Sequence, residues 1–143
     1  MKKLAKGLML LLSVFIASSC KSNYNPVLSS KQGVNFDVIS LNQTKEKAKI
    51  EHKQLFVFVH ATWCPTCKKM ENEVFVQEQL GKVYNLQFVN EAIDLDSKEG
   101  KLLNQSMPIS ATPTLFYFDA NGVLIKKVEG FCNVNQLLSY ATK

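Results

Sequence analysis

The run LFVFVHA, residues 55–61, constrains this chain more than any other feature. It is β-branched and aromatic and carries no Lys, Arg, Asp or Glu, the pattern of a central strand covered on both faces. A strand so buried requires helices packed above and below it. The flanking segments supply them. NQTKEKAKIEHKQ, residues 42–54, reads as a polar helix, and a second helix is predicted from about residue 64 to residue 80. LQFVNEAIDLD, 86–96, is predicted to be a strand, and SKEGKLLNQSM, 97–107, holds a short helix. TLFYFD and VLIKKVEG flank ANG, an Asn-Gly hairpin signal. NVNQLLSYATK, 133–143, reads as a closing helix with Asn133 at its N-cap. VNFDVIS, 34–40, alternates as a short opening strand would. The order βαβαβαββα implies an α/β fold with a mixed central sheet and helices on both faces.

The first nineteen residues stand apart. Lys2, Lys3 and Lys6 precede the apolar run LMLLLSVFIA, and SSC follows. A basic start, a short apolar centre and small residues before a cut site describe a secretory signal. The run is shorter than the roughly 20 residues of a spanning helix. KSNYNPVLSSKQG, 21–33, is polar, turn-rich and aperiodic, the composition of a flexible tether. Three of the 17 basic residues lie in residues 1–19 with no acid, so the rest has 14 basic against 12 acidic residues, a net +2. No basic cluster interleaved with aromatics remains, so a nucleic-acid partner is not expected. Residues 20–143 are enough for one domain, and the 46% hydrophobic content is ordinary.

There are four cysteines: Cys20, Cys64, Cys67 and Cys132. Cys64 and Cys67 open a predicted helix in WCPTCKK. Residues three apart on a helix have Cα atoms about 5 Å apart, within disulfide range. The loop so closed is tiny, which makes stability a poor reason for the bond. A sulfur in the first helical turn faces free N–H groups and the positive end of the helix dipole, which favours thiolate. Pro65 suits the first helical position, where a proline loses no hydrogen bond. Cys64 is the expected exposed nucleophile and Cys67, one turn further in, the buried resolving thiol. A Cys3His zinc site with Cys132 and His60 is an alternative use of the same cysteines. Otherwise Cys132 reads as a small buried hydrophobe and His60 as a strand-end residue whose cation would stabilise the Cys64 thiolate.

WCPTCKK after an apolar strand, ATPT some forty-five residues on, and a hairpin ending in glycine together resemble the thioredoxin superfamily. The resemblance runs from about Val34 to the C-terminus. It is nearest to periplasmic thioredoxin-like domains such as the C-terminal domain of the disulfide reductase DsbD. It implies a thioredoxin fold with Cys64 attacking and Cys67 resolving. It also implies that Pro113 is preceded by a cis bond and lies against the sulfurs, and that Thr112 offers its backbone to an incoming peptide. Trp63 would wall that surface, beside Pro65 and Thr66. The family's buried aspartate, six residues before the first cysteine, is replaced by Phe58. Glu71 matches a glutamate of the DsbD domain and, four residues after Cys67, would share its helix face. IASSC resembles the lipobox of bacterial lipoproteins, which implies lipidation at Cys20.

The expectation is therefore a signal peptide at 1–19, a lipid anchor and tether at 20–33, and a thioredoxin-like domain at 34–143. The function expected is a cell-envelope thiol–disulfide oxidoreductase, leaning towards reductase because the dipeptide between the cysteines lacks histidine. It would face the periplasm as a lipoprotein, or be periplasmic or secreted if Cys20 is not lipidated. It would act on protein disulfides without a bound cofactor and be reset by a membrane-bound electron donor or acceptor. A thioredoxin-fold peptide-binding adaptor without turnover is the rival reading, with the zinc module as a third.

Overall fold

A computed structural model describes residues 32–37 and 39–142. The signal, Cys20 and nearly all of the tether lie outside the described residues. Within them, α1 (Leu41–Glu51) leads into β1 (Gln54–His60), and α2 (Pro65–Lys69) continues through a π turn (Met70–Val74). There follow α3 (Glu78–Gln87), β2 (Phe88–Asp94), α4 (Lys98–Ser106), the hairpin β3 (Thr114–Phe118) and β4 (Leu124–Glu129), and α5 (Val134–Ala141). The sheet order is β2-β1-β3-β4. β1 runs parallel to β2 and antiparallel to β3, and β3 runs antiparallel to β4. The expected mixed sheet is therefore present, with the uncharged run in an interior position.

Alternation along β1 divides the core in two. Phe56 and Phe58 face a cluster with Cys64, Cys67, Met70, Phe75, Tyr84 and Leu137, so α2, α3 and α5 cover that side. Leu55, Val57 and Val59 face Leu41, Ala48 and Leu103, so α1 and α4 cover the other. All five residues from Leu55 to Val59 are at most 1% exposed. Each of these large side chains contributes about 1.5–3 kcal/mol when fully buried. Capping boxes start two of the helices, at Ser40 with Gln43 and, as expected, at Asn133 with Gln136.

Two expectations are corrected. The described residues of 34–40 are not assigned to a strand. Among them Asp37 makes an isolated bridge to Glu91, and the Phe36 ring packs edge-on against Phe75 at 5.1 Å. The helix predicted to run to residue 80 stops near Phe75 and restarts at Glu78. The N-terminal segment fills the break, with Val34 N–H donating to the Phe75 carbonyl at 2.7 Å. Gly33, at φ +100°, passes so close that a Cβ there would lie 2.2 Å from the Phe75 oxygen. A Cβ on Gly81 would lie 2.2 Å from the Gly33 carbonyl oxygen. Glycine at both positions is what lets the segment seat against α3.

Candidate active site

The end of β1 delivers the chain into a tight turn that begins α2. Cys64 N–H donates to the Ala61 carbonyl at 3.0 Å. Cys64 is the N-cap in extended conformation, and Pro65 follows at the start of the helix. Its sulfur accepts the Cys67 N–H at 3.1 Å, one of the donors that a helix start leaves unpaired. Cys64 and Cys67 are joined by a disulfide, with Cα atoms 5.3 Å apart. Cys67 is fully buried, as expected. Cys64 is not exposed as expected: only 2% of it is accessible in this oxidised state. Its sulfur is bonded on one side to Cys67 and has the Thr66 hydroxyl on another.

Thr66 connects this turn to the loop before β3. Its Oγ1 lies 3.3 Å from Cys64 Sγ and 3.5 Å from the Thr112 carbonyl oxygen. The disulfide sulfur has no proton, so the single hydroxyl proton is shared between the two acceptors. The Thr112–Pro113 peptide is cis. The loop is held by Gly130 N–H donating to the Pro113 carbonyl at 2.7 Å and by Thr114 Oγ1 donating to the Ala111 carbonyl at 2.6 Å. Trp63 is 63% exposed. Its indole N–H donates to Asp96 Oδ2 at 2.8 Å, which fixes the ring beside the disulfide turn. Past Gly130, the exposed ring of Phe131 lies under the Lys69 ammonium at 5.3 Å. The structure thus brings Trp63, Cys64, Pro65, Thr66, Cys67, Thr112 and Pro113 to one end of the sheet.

The family profile described as a thioredoxin-like domain matches residues 41–143. The chain belongs to the thioredoxin-like family. Its domain is of the protein-disulfide oxidoreductase type. Among curated relatives, it is 25% identical over 118 residues to the thiol:disulfide interchange protein DsbD of Campylobacter jejuni, and that stretch covers 81% of this chain. It is 30% identical over 115 residues to the DsbD of Photorhabdus laumondii, covering 75% of this chain. The chain spans only about a fifth of those relatives, 21% and 20% of their lengths. Among solved structures, a candidate disulphide-isomerase from Bacteroides thetaiotaomicron superposes with a TM-score of 0.70 at 29% identity, covering 78% of this chain and 92% of that one. The oxidised C-terminal domain of Neisseria meningitidis DsbD superposes with a TM-score of 0.61 at 18% identity, covering 77% and 97%, a likeness of fold.

Against this thioredoxin-like frame, the departures lie beneath the disulfide. Phe58 is 1% exposed and packs on Phe75 and on the His60 ring, with centroids 4.8 and 5.4 Å apart. No carboxylate occupies that position. Glu71 falls in the π turn and faces His60, with Oε1 3.5 Å from Nδ1. Cys132 is buried in the same core cluster, and burial pushes its thiol pKa up, away from reactivity. It therefore behaves as a small core hydrophobe. Cys64, Cys67, Cys132 and His60 do not converge, and no group of three or more His, Cys, Asp or Glu side chains able to hold a metal exists among the described residues. Sequence reasoning missed Asp96 and Phe131. Asp96 caps no motif and meets Trp63 only because β2 and the disulfide turn end at the same edge; Phe131 stands one residue past the hairpin glycine, and that spacing was the available signal.

Proposed function

We propose that this protein is a thiol–disulfide oxidoreductase of the cell envelope that reduces protein disulfides through Cys64 and Cys67. The observation that carries the reading is the Cys64–Cys67 disulfide at the start of α2, linked through Thr66 to the cis Pro113 loop. In the reduced protein, the Cys64 thiolate attacks a substrate disulfide, forming a mixed disulfide and releasing one substrate thiolate. Cys67 then attacks the Cys64 sulfur, which restores the enzyme disulfide and releases the second substrate sulfur. The N-cap position of Cys64 favours its thiolate. Pro113 and Glu71 support the reacting pair Cys64 and Cys67, and Trp63, Pro65, Thr66 and Thr112 form the face that meets the polypeptide. Thr112 supplies backbone to pair with it.

The basic, apolar and small-residue order of residues 1–19, followed by Cys20, supports export and lipidation. The protein would then be tethered through residues 20–33 and recharged by a membrane-bound electron donor, with residues 34–143 as the working domain. Proline and threonine between the cysteines support the reducing direction. Cys64, at 2% exposure, also favours a second reading, a peptide-binding adaptor that uses the Pro113 surface without turnover. Insulin-disulfide reduction by the reduced protein separates the two. Activity abolished by Cys64→Ser supports the enzyme; no activity with any reductant supports the adaptor. Intact mass of the membrane-bound protein tests the lipid on Cys20.

A further inference from the structure

Resolution of the mixed disulfide has a proton requirement. Cys67 is fully buried, and as a thiol it must lose its proton before it can attack. The core cluster to which it belongs includes Phe58, Ala61, Met70, Val74 and Phe75, none of which accepts a proton. The titratable members of that cluster are Cys132, Tyr84 and Tyr117. Burial pushes all three pKa values up, so none is a base at neutral pH.

One basic pair borders this apolar wall. Phe56, Phe58 and His60 alternate onto the sheet face that the disulfide helix covers, and the His60 ring stacks on Phe58 with planes 9° apart. Glu71 is one helical turn beyond Cys67 and meets His60 Nδ1 at 3.5 Å. The pair thus spans β1 and the disulfide helix. The His60 side chain is 24% exposed, so its ring has access to solvent. Asp94 on β2 is the register neighbour of His60, and its Oδ1 is occupied by the Asp96 N–H at 2.9 Å. On the β3 side, the register ends with Val59 opposite Thr114, which has no group that titrates near neutral pH.

We propose that His60, oriented by Glu71, is the proton acceptor that releases the Cys67 thiolate. This rests on the oxidoreductase reading above. With its Nδ1 proton directed at Glu71, neutral His60 keeps a lone pair on Nε2. The Cys67 proton passes to that nitrogen. The Cys67 thiolate attacks Cys64 Sγ, the bond from Cys64 to the substrate breaks, and the departing substrate thiolate takes a proton from the imidazolium. The Cys64 thiolate and the Cys67 thiol are oxidised to one disulfide, and the substrate disulfide is reduced to one thiolate and one thiol. Glu71 is a positioning residue in this scheme, because it acts through His60.

The test follows decay of the Cys64–substrate mixed disulfide in a single turnover, by quenched flow and intact mass, between pH 5 and 9. His60→Gln should slow decay about 100-fold at pH 7, the low end of general-base effects, so that the mixed disulfide accumulates. It should also flatten the dependence of decay on pH. Glu71→Gln, at a half-exposed surface position, should slow decay less while altering that pH dependence. Free imidazole should restore part of the rate in His60→Gly, which a merely structural role would not permit. Decay in both His60→Gln and Glu71→Gln within about twofold of wild type, with the pH dependence unaltered, would overturn the proposal. Failure of the wild-type protein to form any mixed disulfide would overturn the oxidoreductase reading and this inference with it.

Discussion

Glu91 sits in the middle of β2 at 2% exposure, on the sheet face covered by α1 and away from the disulfide. Burial pushes its pKa from 4.5 up to about 7, with the carboxylates of Glu99 and Asp37 acting in the same direction and the Thr44 hydrogen bond against it. The hydrogen bonding agrees. The Thr44 hydroxyl has one proton to share between the Ser40 carbonyl, 3.0 Å away, and a Glu91 carboxyl oxygen. A neutral Glu91 that donates in return satisfies all three groups. In the unfolded chain this glutamate ionises near pH 4.5. Between that pH and about 7 the unfolded chain has lost a proton that the folded protein keeps, so stability falls as pH rises. Below the window both states are protonated, and above it both are ionised, so the contribution is flat outside it. A shift from 4.5 to about 7 corresponds to about 3 kcal/mol. Urea unfolding at pH 4.5 and pH 8 should show that loss in wild type and not in Glu91→Gln, which should be the more stable protein at pH 8. Equal pH slopes for the two proteins would refute the assignment of a neutral, buried Glu91.

Three further outcomes follow from named contacts. Asp96→Ala removes the acceptor of the Trp63 indole, so the ring loses its fixed pose; KM for a disulfide peptide should rise about fivefold, near 1 kcal/mol, with kcat little changed. Gly81→Ala drives a Cβ into the Gly33 backbone, which cannot move without breaking the Val34–Phe75 hydrogen bond; unfolding in urea should show a loss of about 2–3 kcal/mol. Cys67→Ser should halt the reaction at the mixed disulfide on Cys64, visible as a stable mass increase equal to the captured thiol.

The residues that announce the fold do so by local pattern. The uncharged run became β1, the Asn-Gly turn became the β3–β4 hairpin, and Asn133 caps α5. The disulfide turn was legible for the same reason, since its parts lie within five residues and ATPT marks the loop that meets it. What stayed hidden depends on contacts between distant segments. The break at Phe75 comes from Gly33 and Val34, some forty residues earlier. Alternation in 34–40 suggested a strand, but Phe36 is drawn into the aromatic cluster instead of onto a sheet edge. Glu71 was expected beside Cys67 by helical spacing, yet the π turn that contains it presents it to His60. The burial of Cys64 was missed because helix position reports on the field at the sulfur, and the Thr66–Thr112 contact that covers it spans 46 residues.

The central claim is that Cys64 and Cys67 form a reversible two-electron couple, and equilibrium titration of the protein in thiol–disulfide buffers tests it most directly. Trapping free thiols by alkylation and weighing the products should reveal one reversible transition involving Cys64 and Cys67 alone, with Cys132 reduced throughout and a potential below about −200 mV, on the reducing side of the oxidant range. A bond that neither opens nor reforms across the accessible potentials would contradict the account.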